Sequence, residues 1–196
     1  MDTRQKVFEH LATIVTKIKV PELIALGEDN SMSTGALLDI SYGDKNDTVA
    51  FRAAWILEYI ATHHPDRFMP VFDAFMSRLP VQRNLSCQRH FTKILMAITH
   101  PRAPQPYRKA YRAMDRLPLV ETIFSWLIDP RTPVAVQVNC LDILYNMSDE
   151  FGWIREELKQ QTEFLLRDGS AAMQSRGKKI LKKLSRSKPQ VDADGQ

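Results

Sequence analysis

The sequence predicts an all-α fold in which two-helix repeats stack side by side, and three observations support this prediction. One apolar pattern with helical periodicity recurs along the chain. Its copies return after roughly forty residues, a period typical of stacked helix pairs. No stretch has a convincing run of the period-two alternation that marks a β-strand. These observations predict an architecture, and they specify no reaction.

The recurring pattern is clearest between Val49 and Ile60, where Val49 precedes the central pair Ile56-Leu57 by seven residues and Ile60 follows Ile56 by four. The other copies are Val7, Ile14, Val15, Ile18; Cys87, Ile94, Leu95, Ile98; Val136, Ile143, Leu144, Met147; and Met173, Ile180, Leu181, Leu184. The central residues 14, 56, 94, 143 and 180 are 42, 38, 49 and 37 residues apart. We therefore predict five helices that bury the same stripe.

Capping residues and helix breakers divide the first half of the chain into helices. Ser33 or Thr34 begins one helix and Gly43 ends it, while Asn46 or Asp47 begins the next. Asp66 starts a helix with a rich apolar face, within which Pro70 lies near the start, and Pro80 ends it. The predicted helices of this half are 2–18, 21–26, 34–42, 47–63, 67–79 and 83–99.

The second half contains the remaining helices and one irregular segment. His100 to Pro106 has three prolines, so it cannot be a helix interior. The same segment falls in the long 49-residue interval, and we interpret residues 100–110 as an insertion in the repeat series. The predicted helices here are 107–116, 117–128, 133–147, 149–167 and 171–184, for a total of about nine to eleven. We expect one domain, residues 1–184, and a disordered tail, residues 185–196.

Composition excludes several classes of function. Hydrophobic residues make up 44% and charged residues 26% of the chain, as in ordinary globular proteins. Only 7 glycines are present, and none form a phosphate-binding loop, so we expect no nucleotide cofactor. Charged residues within the first twenty positions exclude a signal peptide of the usual kind, and no apolar run is long enough to cross a membrane. We expect a cytoplasmic protein without a cofactor.

The positive charge of the chain is concentrated near its C-terminus. Residues 1–98 contain 11 basic and 11 acidic residues, and residues 99–169 contain 9 and 10. The predicted last helix and its extension contain no acid, and their basic residues are Arg176, Lys178, Lys179, Lys182, Lys183, Arg186 and Lys188. This helix is either the solvated end of the repeat stack or a surface for an acidic partner or for RNA.

Three segments resemble the second helix of a HEAT repeat. From Asn46, the sequence N-D-T-V-A-F-R-A-A-W-I-L has an acidic residue at the turn, then an apolar residue, Arg52 and two small residues. Similar segments begin at Asp129, with Asn139 in place of the arginine, and at Gly169, with Arg176. The copy centred on Ile94 has His90 there, next to Arg89. The resemblance covers residues 46–184.

Resemblance to HEAT repeats implies a right-handed stack whose second helices line one concave docking face, without catalysis. The positions just off the buried stripe are then candidate partner-binding residues: Arg52, Trp55, Tyr59, Arg89, Lys93, Asn139, Asp142, Asn146, Lys179 and Lys183. Exposed aromatic side chains beside charges are typical of binding hot spots. Trp55 could equally pack under the neighbouring repeat. Our leading hypothesis is a non-enzymatic scaffold that binds a protein.

Two enzyme hypotheses remain as alternatives. HEAT-like alkylpurine DNA glycosylases use an aromatic residue and an aspartate, which Trp126 and Asp129 resemble, but a glycosylase also needs a basic face for the phosphates. Residues 1–169 have a net charge of −1. A weaker association is with adenylosuccinate lyase, a family that is much longer, assembles each site from several subunits and carries a Ser-rich signature loop. We find no such loop and disfavour this third hypothesis.

Two groups of residues could bind a metal ion, but a structural role suits both better. His63 and His64 precede Pro65 at a predicted helix end, where a histidine complements the helix dipole. Cys87 and His90 are three residues apart on one predicted helix. Neither group has the paired Cys or His spacing of a zinc site. We therefore expect no metal site and no catalytic residue.

Overall fold

The computed structural model describes residues 3–14, 19–43 and 46–186, and these residues form helices, turns and loops without a strand. The helices are α1 (Thr3–Thr13), α2 (Val20–Glu28), α3 (Thr34–Ile40), α4 (Asp47–His63), α5 (Pro65–Phe68), α6 (Phe72–Arg78), α7 (Leu85–Thr99), α8 (Gln105–Ala113), α9 (Leu117–Ile128), α10 (Val134–Asn146), α11 (Ile154–Leu166) and α12 (Ala171–Arg186). Eleven of those described are longer than the single turn of α5. The all-α prediction is confirmed.

Two of the predicted caps, Ser33 and Asn46, begin helices, and Asn84 is a further cap that was not predicted. The side-chain oxygen of Asn46 accepts hydrogen bonds from the backbone amides of Thr48 and Val49, both at 3.1 Å. Asn84 does the same at the start of α7, and Ser33 accepts from an amide of α3. Each cap satisfies backbone donors that have no partner within the helix.

Several predicted boundaries were wrong, and prolines explain one of them. The helix predicted from 67 to 79 is divided into α5, a 3₁₀ turn at Met69–Val71 and α6. Pro70 has no amide hydrogen for an α-helical bond, which interrupts the helix. The predicted helix 2–18 ends at Thr13, and its stripe residues Val15 and Ile18 lie outside the described residues. Helix α12 continues two residues into the predicted tail, to Arg186.

Helices α4, α7, α10 and α12 form one row, in which each packs against the next. Helices α3, α9 and α11 pack as the first helices of their pairs against α4, α10 and α12. In the remaining pair, Phe75 of α6 meets Phe91 of α7 edge to face, with ring centroids 4.9 Å apart. Four of the five copies of the apolar pattern therefore lie on this row of second helices, whereas the first copy begins on α1 and extends outside the described residues.

The repeated stripe forms the core between the helices. In the four copies of this row, every stripe residue except Leu181 is at most 9% exposed. Full burial of such a side chain contributes roughly 1.5–3 kcal/mol. Leu181 is partly exposed because α12 is the last described helix, so no following helix packs over its outer flank.

The proline-rich segment leads into a packed helix. Residues 100–104 form the turn, and α8 begins at Gln105 with Pro106 in its first turn, where proline is tolerated. Tyr107 anchors α8 because its hydroxyl donates a 2.6 Å hydrogen bond to the carbonyl oxygen of Ala61. That carbonyl lies four residues before Pro65, which has no amide hydrogen to offer it.

Candidate binding face of the second helices

The ten candidate partner-binding residues lie on α4, α7, α10 and α12, and we call this set the second-helix face. It comprises Arg52, Trp55, Tyr59, Arg89, Lys93, Asn139, Asp142, Asn146, Lys179 and Lys183. Most of these side chains contact a neighbouring helix. The contacts give the face a structural role, and binding by these residues stays a prediction.

One repeat position makes the same kind of contact four times. The residue four positions before each central residue is Arg52, His90, Asn139 or Arg176, and we call these the ladder residues. Each one reaches back to the preceding helix of the row or, for Arg52, to α1. A position chosen by its place in the repeat therefore joins consecutive repeats.

The first two ladder residues are buried. Arg52 is 9% exposed, and its Nη1 donates a 2.9 Å hydrogen bond to the carbonyl oxygen of Leu11 in α1. Nδ1 of His90 lies 2.5 Å from Oε2 of Glu58 on α4, and Lys93 donates to the other oxygen of this carboxylate at 3.0 Å. Glu58 is therefore shared by two cationic or polar groups of α7.

The last two ladder residues differ in charge. Asn139 donates through Nδ2 to the hydroxyl of Thr92 at 2.9 Å, a neutral contact between α10 and α7. Arg176 forms an ion pair with Asp142, which is 9% exposed. A buried carboxylate is costly without a partner, so this pair ties α12 to α10.

The rest of the second-helix face contacts neighbouring groups at its edges. Asn146 donates to the hydroxyl of Thr99 at 3.2 Å, and Nζ of Lys183 lies 4.7 Å from the centre of the Tyr145 ring. Arg89 and Lys179 are exposed. The side of the face formed by α12 therefore offers the most accessible cationic groups.

Aromatic residues cover the α4 end of the face. Trp55 stacks on His90 with 6.0 Å between ring centroids, and Phe51 meets the same imidazole edge to face at 4.9 Å. Both aromatic residues are partly exposed. The hydroxyl of Tyr59 donates to Glu28 at 2.7 Å, and together with His64 it lowers the pKa of that carboxyl.

The residues of the two candidate metal groups have other partners. His63 stacks on Tyr59, whereas Nε2 of His64 lies 2.9 Å from Glu28. Burial raises the pKa of the Cys87 thiol to about 12 and also raises that of Cys140. A thiol with a raised pKa is a poor nucleophile at neutral pH. Within the described ranges, no three His, Cys, Asp or Glu side chains are grouped to hold a metal ion.

Trp126 and Asp129 line one cavity of about 710 Å³ between α9 and the start of α7. Trp126 is 5% exposed, and Asp129 accepts hydrogen bonds from the backbone and guanidinium of Arg131. These bonds lower the pKa of Asp129 to about 2. The carboxylate is therefore ionised, but Arg131 already compensates its charge, and Trp126 belongs to a first helix, α9.

A second basic region was missed by the sequence analysis. Residues 99–116 contain 5 basic residues and 1 acidic residue, whereas residues 117–169 contain 4 and 9. When residues 99–169 are counted together, the basic residues of the first region and the acidic residues of the second nearly cancel, so neither region is apparent. A shorter window would have found the basic residues of α8: Arg108, Lys109 and Arg112.

The repeated helix pairs match a known family. The family description "HEAT repeat domain" matches residues 8–184. The chain belongs to the HEAT-repeat family. No curated protein matches this chain. None of the described helices is long and apolar enough to cross a membrane.

Proposed function

We propose that this HEAT-repeat protein is a non-enzymatic cytoplasmic scaffold or adaptor that binds a protein partner through the second-helix face. The observation that carries the proposal is the continuity of this face over α4, α7, α10 and α12, with polar contacts between successive helices. A face held in one shape by its own side chains loses little conformational entropy on binding. Its aromatic end and its cationic end supply different kinds of contact.

The partner meets mainly the α12 end of the face. Lys179 is exposed and Lys183 is an exposed residue beside Tyr145, whereas Arg52 and Asp142 are buried. Tyrosine is enriched at protein interfaces, and exposed cations attract and orient a partner surface of opposite charge. Lys179 and Lys183 therefore bind the partner, and the ladder residues maintain the spacing of the helices.

The test uses two double variants of α12 with equal changes in charge. Partners are isolated from the native host on immobilised protein, and their affinities are measured after purification. We expect Lys179→Glu with Lys183→Glu to weaken binding about ten-fold or more, and Lys178→Glu with Lys182→Glu to weaken it less than about three-fold. Equal losses in the two variants would show that net charge alone, and not this side of α12, binds the partner.

A second candidate function is nucleic-acid binding, and the composition of α12 favours it. Exposed Lys178, Lys179, Lys182 and Arg186 lie on a helix without an acidic residue. Mobility shift at two salt concentrations measures this, because neutralised phosphates make affinity fall steeply with salt. Tight, salt-sensitive binding that disappears in the Lys178→Glu, Lys182→Glu variant would replace the protein-scaffold proposal.

Base excision is a more specific form of nucleic-acid binding, and the observation that favours it is the cavity lined by Trp126 and Asp129. Release of alkylated bases from DNA, lost in Asp129→Asn, would support it. Because Arg131 occupies the Asp129 carboxylate, we expect no base release from either protein. The adenylosuccinate lyase hypothesis gains no support from the arrangement of the helices.

A further inference from the structure

Helix α8 and the loop before it carry exposed cations that the fold does not use. These are Arg102, Arg108, Lys109 and Arg112. In residues 3–14, 19–43 and 46–186, none of the four forms an ion pair. Arg116, just after the helix, differs because it pairs with Glu150 at 2.6 Å. The cluster is therefore available to a ligand outside the chain.

Two tyrosines beside these cations fix α8 in place. Tyr107 is 1% exposed and packs against Phe68 and Phe72, with ring centroids 5.9 and 6.3 Å away. The hydroxyl of Tyr111 donates to Glu150 at 2.7 Å, and burial raises the pKa of this phenol. Two anchored tyrosines hold the backbone of α8, so the neighbouring cations project from a rigid element.

A groove of about 440 Å³ runs beside α8, where α7 and α10 end. Arg108 and Arg112 line one side of it, one helical turn apart, and His100 and Asn146 line the other. Glu150 also lines the groove, but Arg116 and Tyr111 already engage its carboxylate. The uncompensated charge in the groove is therefore positive.

A purely structural role for these arginines would be to cap α7 and α10, since cations stabilise the C-terminal ends of helices. The described side chains of Arg108 and Arg112 donate no hydrogen bond to those terminal carbonyl groups. The guanidinium of Arg116 does donate hydrogen bonds to backbone carbonyls at the C-terminal end of α8, namely those of Tyr111, Arg112 and Met114. Capping therefore explains Arg116 and leaves Arg108 and Arg112 without a function in the fold.

The charge distribution favours a short acidic segment over a long polyanion. With nine residues, α8 is only about 14 Å long. Residues 117–169, which separate α8 from the basic α12 along the chain, contain 4 basic and 9 acidic residues. The basic charge of α8 is therefore not continuous along the chain with that of α12. Arginine forks also match carboxylates well because both are planar and bond in pairs.

We propose that the groove beside α8 binds an acidic segment of a partner protein, with Arg108 and Arg112 pairing with its carboxylate or phosphoryl groups. This site shares Asn146 with the second-helix face but is separate from Lys179 and Lys183, and it does not depend on the proposed function of that face. A partner can use both surfaces, or each surface can bind a different protein.

Fluorescence anisotropy with labelled octaglutamate tests the proposal, first at about 0.05 M salt and then at about 0.2 M, where screening is stronger. We expect saturable binding that weakens with salt. Arg108→Glu with Arg112→Glu should weaken it about ten-fold or more, because attraction becomes repulsion. The neutral variant Arg108→Gln with Arg112→Gln should give a smaller loss in the same direction. All four substitutions are at exposed positions, and circular dichroism checks the helical content.

The matched control is Lys159→Glu with Arg167→Glu, two exposed residues at α11 with the same change in charge. We expect this control to change the affinity less than two-fold. Equal losses in the two charge-reversal variants would overturn the proposal, as would a wild-type protein that does not bind octaglutamate. Tighter, Arg108-dependent binding of a single-stranded oligonucleotide would assign the groove to nucleic acid and also overturn it.

A peptide with two phosphoserines in place of glutamates distinguishes the two sources of negative charge. Tighter binding of this peptide would identify a phosphorylated segment, and tighter binding of octaglutamate an Asp/Glu-rich one. The Lys179→Glu, Lys183→Glu variant should keep its affinity for both peptides. Loss of binding in that variant instead of the α8 variant would place the acidic segment on the second-helix face and contradict the groove.

Discussion

The α4–α7 junction and the α10–α12 junction use the same kind of contact between helices, but they differ in how many exposed cations lie beside that contact. In both, a carboxylate of one helix pairs with a ladder residue of the next: Glu58 with His90, and Asp142 with Arg176. Around Glu58, Lys93 is also engaged. Helix α12 has additional lysines at exposed positions. Equivalent repeat positions thus join the helices in both junctions, and α12 in addition leaves lysines exposed.

The largest expected effect is at the α10–α12 junction. Arg176→Ala leaves the buried carboxylate of Asp142 without its cation, and we expect a loss of about 2 kcal/mol in the free energy of unfolding. Urea denaturation measures it. Lys179→Ala, on the same helix but exposed, is the control and should change stability by less than about 0.5 kcal/mol. Similar losses of unfolding free energy in the two variants would show that the ladder residue stabilises the stack no more than an exposed residue does.

A smaller effect is expected at the α4–α7 junction. Glu58→Gln weakens the contacts with His90 and Lys93 together, and it should cost about 1.5 kcal/mol. The Trp55 ring, stacked on His90, and the Phe51 ring, edge to face with it, remain to hold α4 against α7, which limits the loss. Thermal unfolding checks the value, with Arg89→Gln as the exposed control on α7. A neutral outcome for Glu58→Gln would mean that aromatic packing alone determines this junction.

The neutral contact between α7 and α10 should matter less than either charged one. Asn139→Ala removes a hydrogen bond from a partly exposed side chain to Thr92, and we expect a loss of about 0.7 kcal/mol. If Asn139→Ala proves more costly than Arg176→Ala, charge is not what distinguishes the junctions. Denaturant titration of the two variants side by side gives the order.

The smallest effect is a change in pH dependence at the edge of α4. Hydrogen bonds from Tyr59 and His64 lower the pKa of Glu28 below its ordinary 4.5. A lowered folded-state pKa gives stability that is present above pH 4.5 and is lost as the pH falls through the folded value. Tyr59→Phe should therefore flatten the decline of stability below pH 4.5. An unchanged profile would show that the Tyr59 hydroxyl does not stabilise the ionised carboxyl.

The sequence predicted the row of second helices well because burial repeats with the fold. Ile56, Ile94, Ile143 and Ile180 are all fully buried, and a period in apolar residues records that directly. Helix ends were less predictable: Thr13 ends α1 early, and Pro70 divides a helix that apolar periodicity alone makes continuous. Local backbone chemistry overrides the periodicity at such points.

The candidate site was predictable in position but not in contacts. Repeat spacing identified Arg52, His90, Asn139 and Arg176 as equivalents, but the groups they reach, such as Glu58, lie on other helices at no fixed sequence distance. The groove beside α8 depends on where α7 and α10 end in space. Its arginines nevertheless belong to a local excess of positive charge in residues 99–116, which the count over residues 99–169 does not show.

A double-mutant cycle across Asp142 and Arg176 tests most directly whether ladder residues couple neighbouring second helices. The four proteins are wild type, Asp142→Asn, Arg176→Gln and the double variant, and urea denaturation gives their free energies of unfolding. We predict a coupling energy of about 1.5 kcal/mol, within the range for contacting residues. Additive losses, with a coupling below about 0.3 kcal/mol, would contradict the assignment of this repeat position to holding the stack.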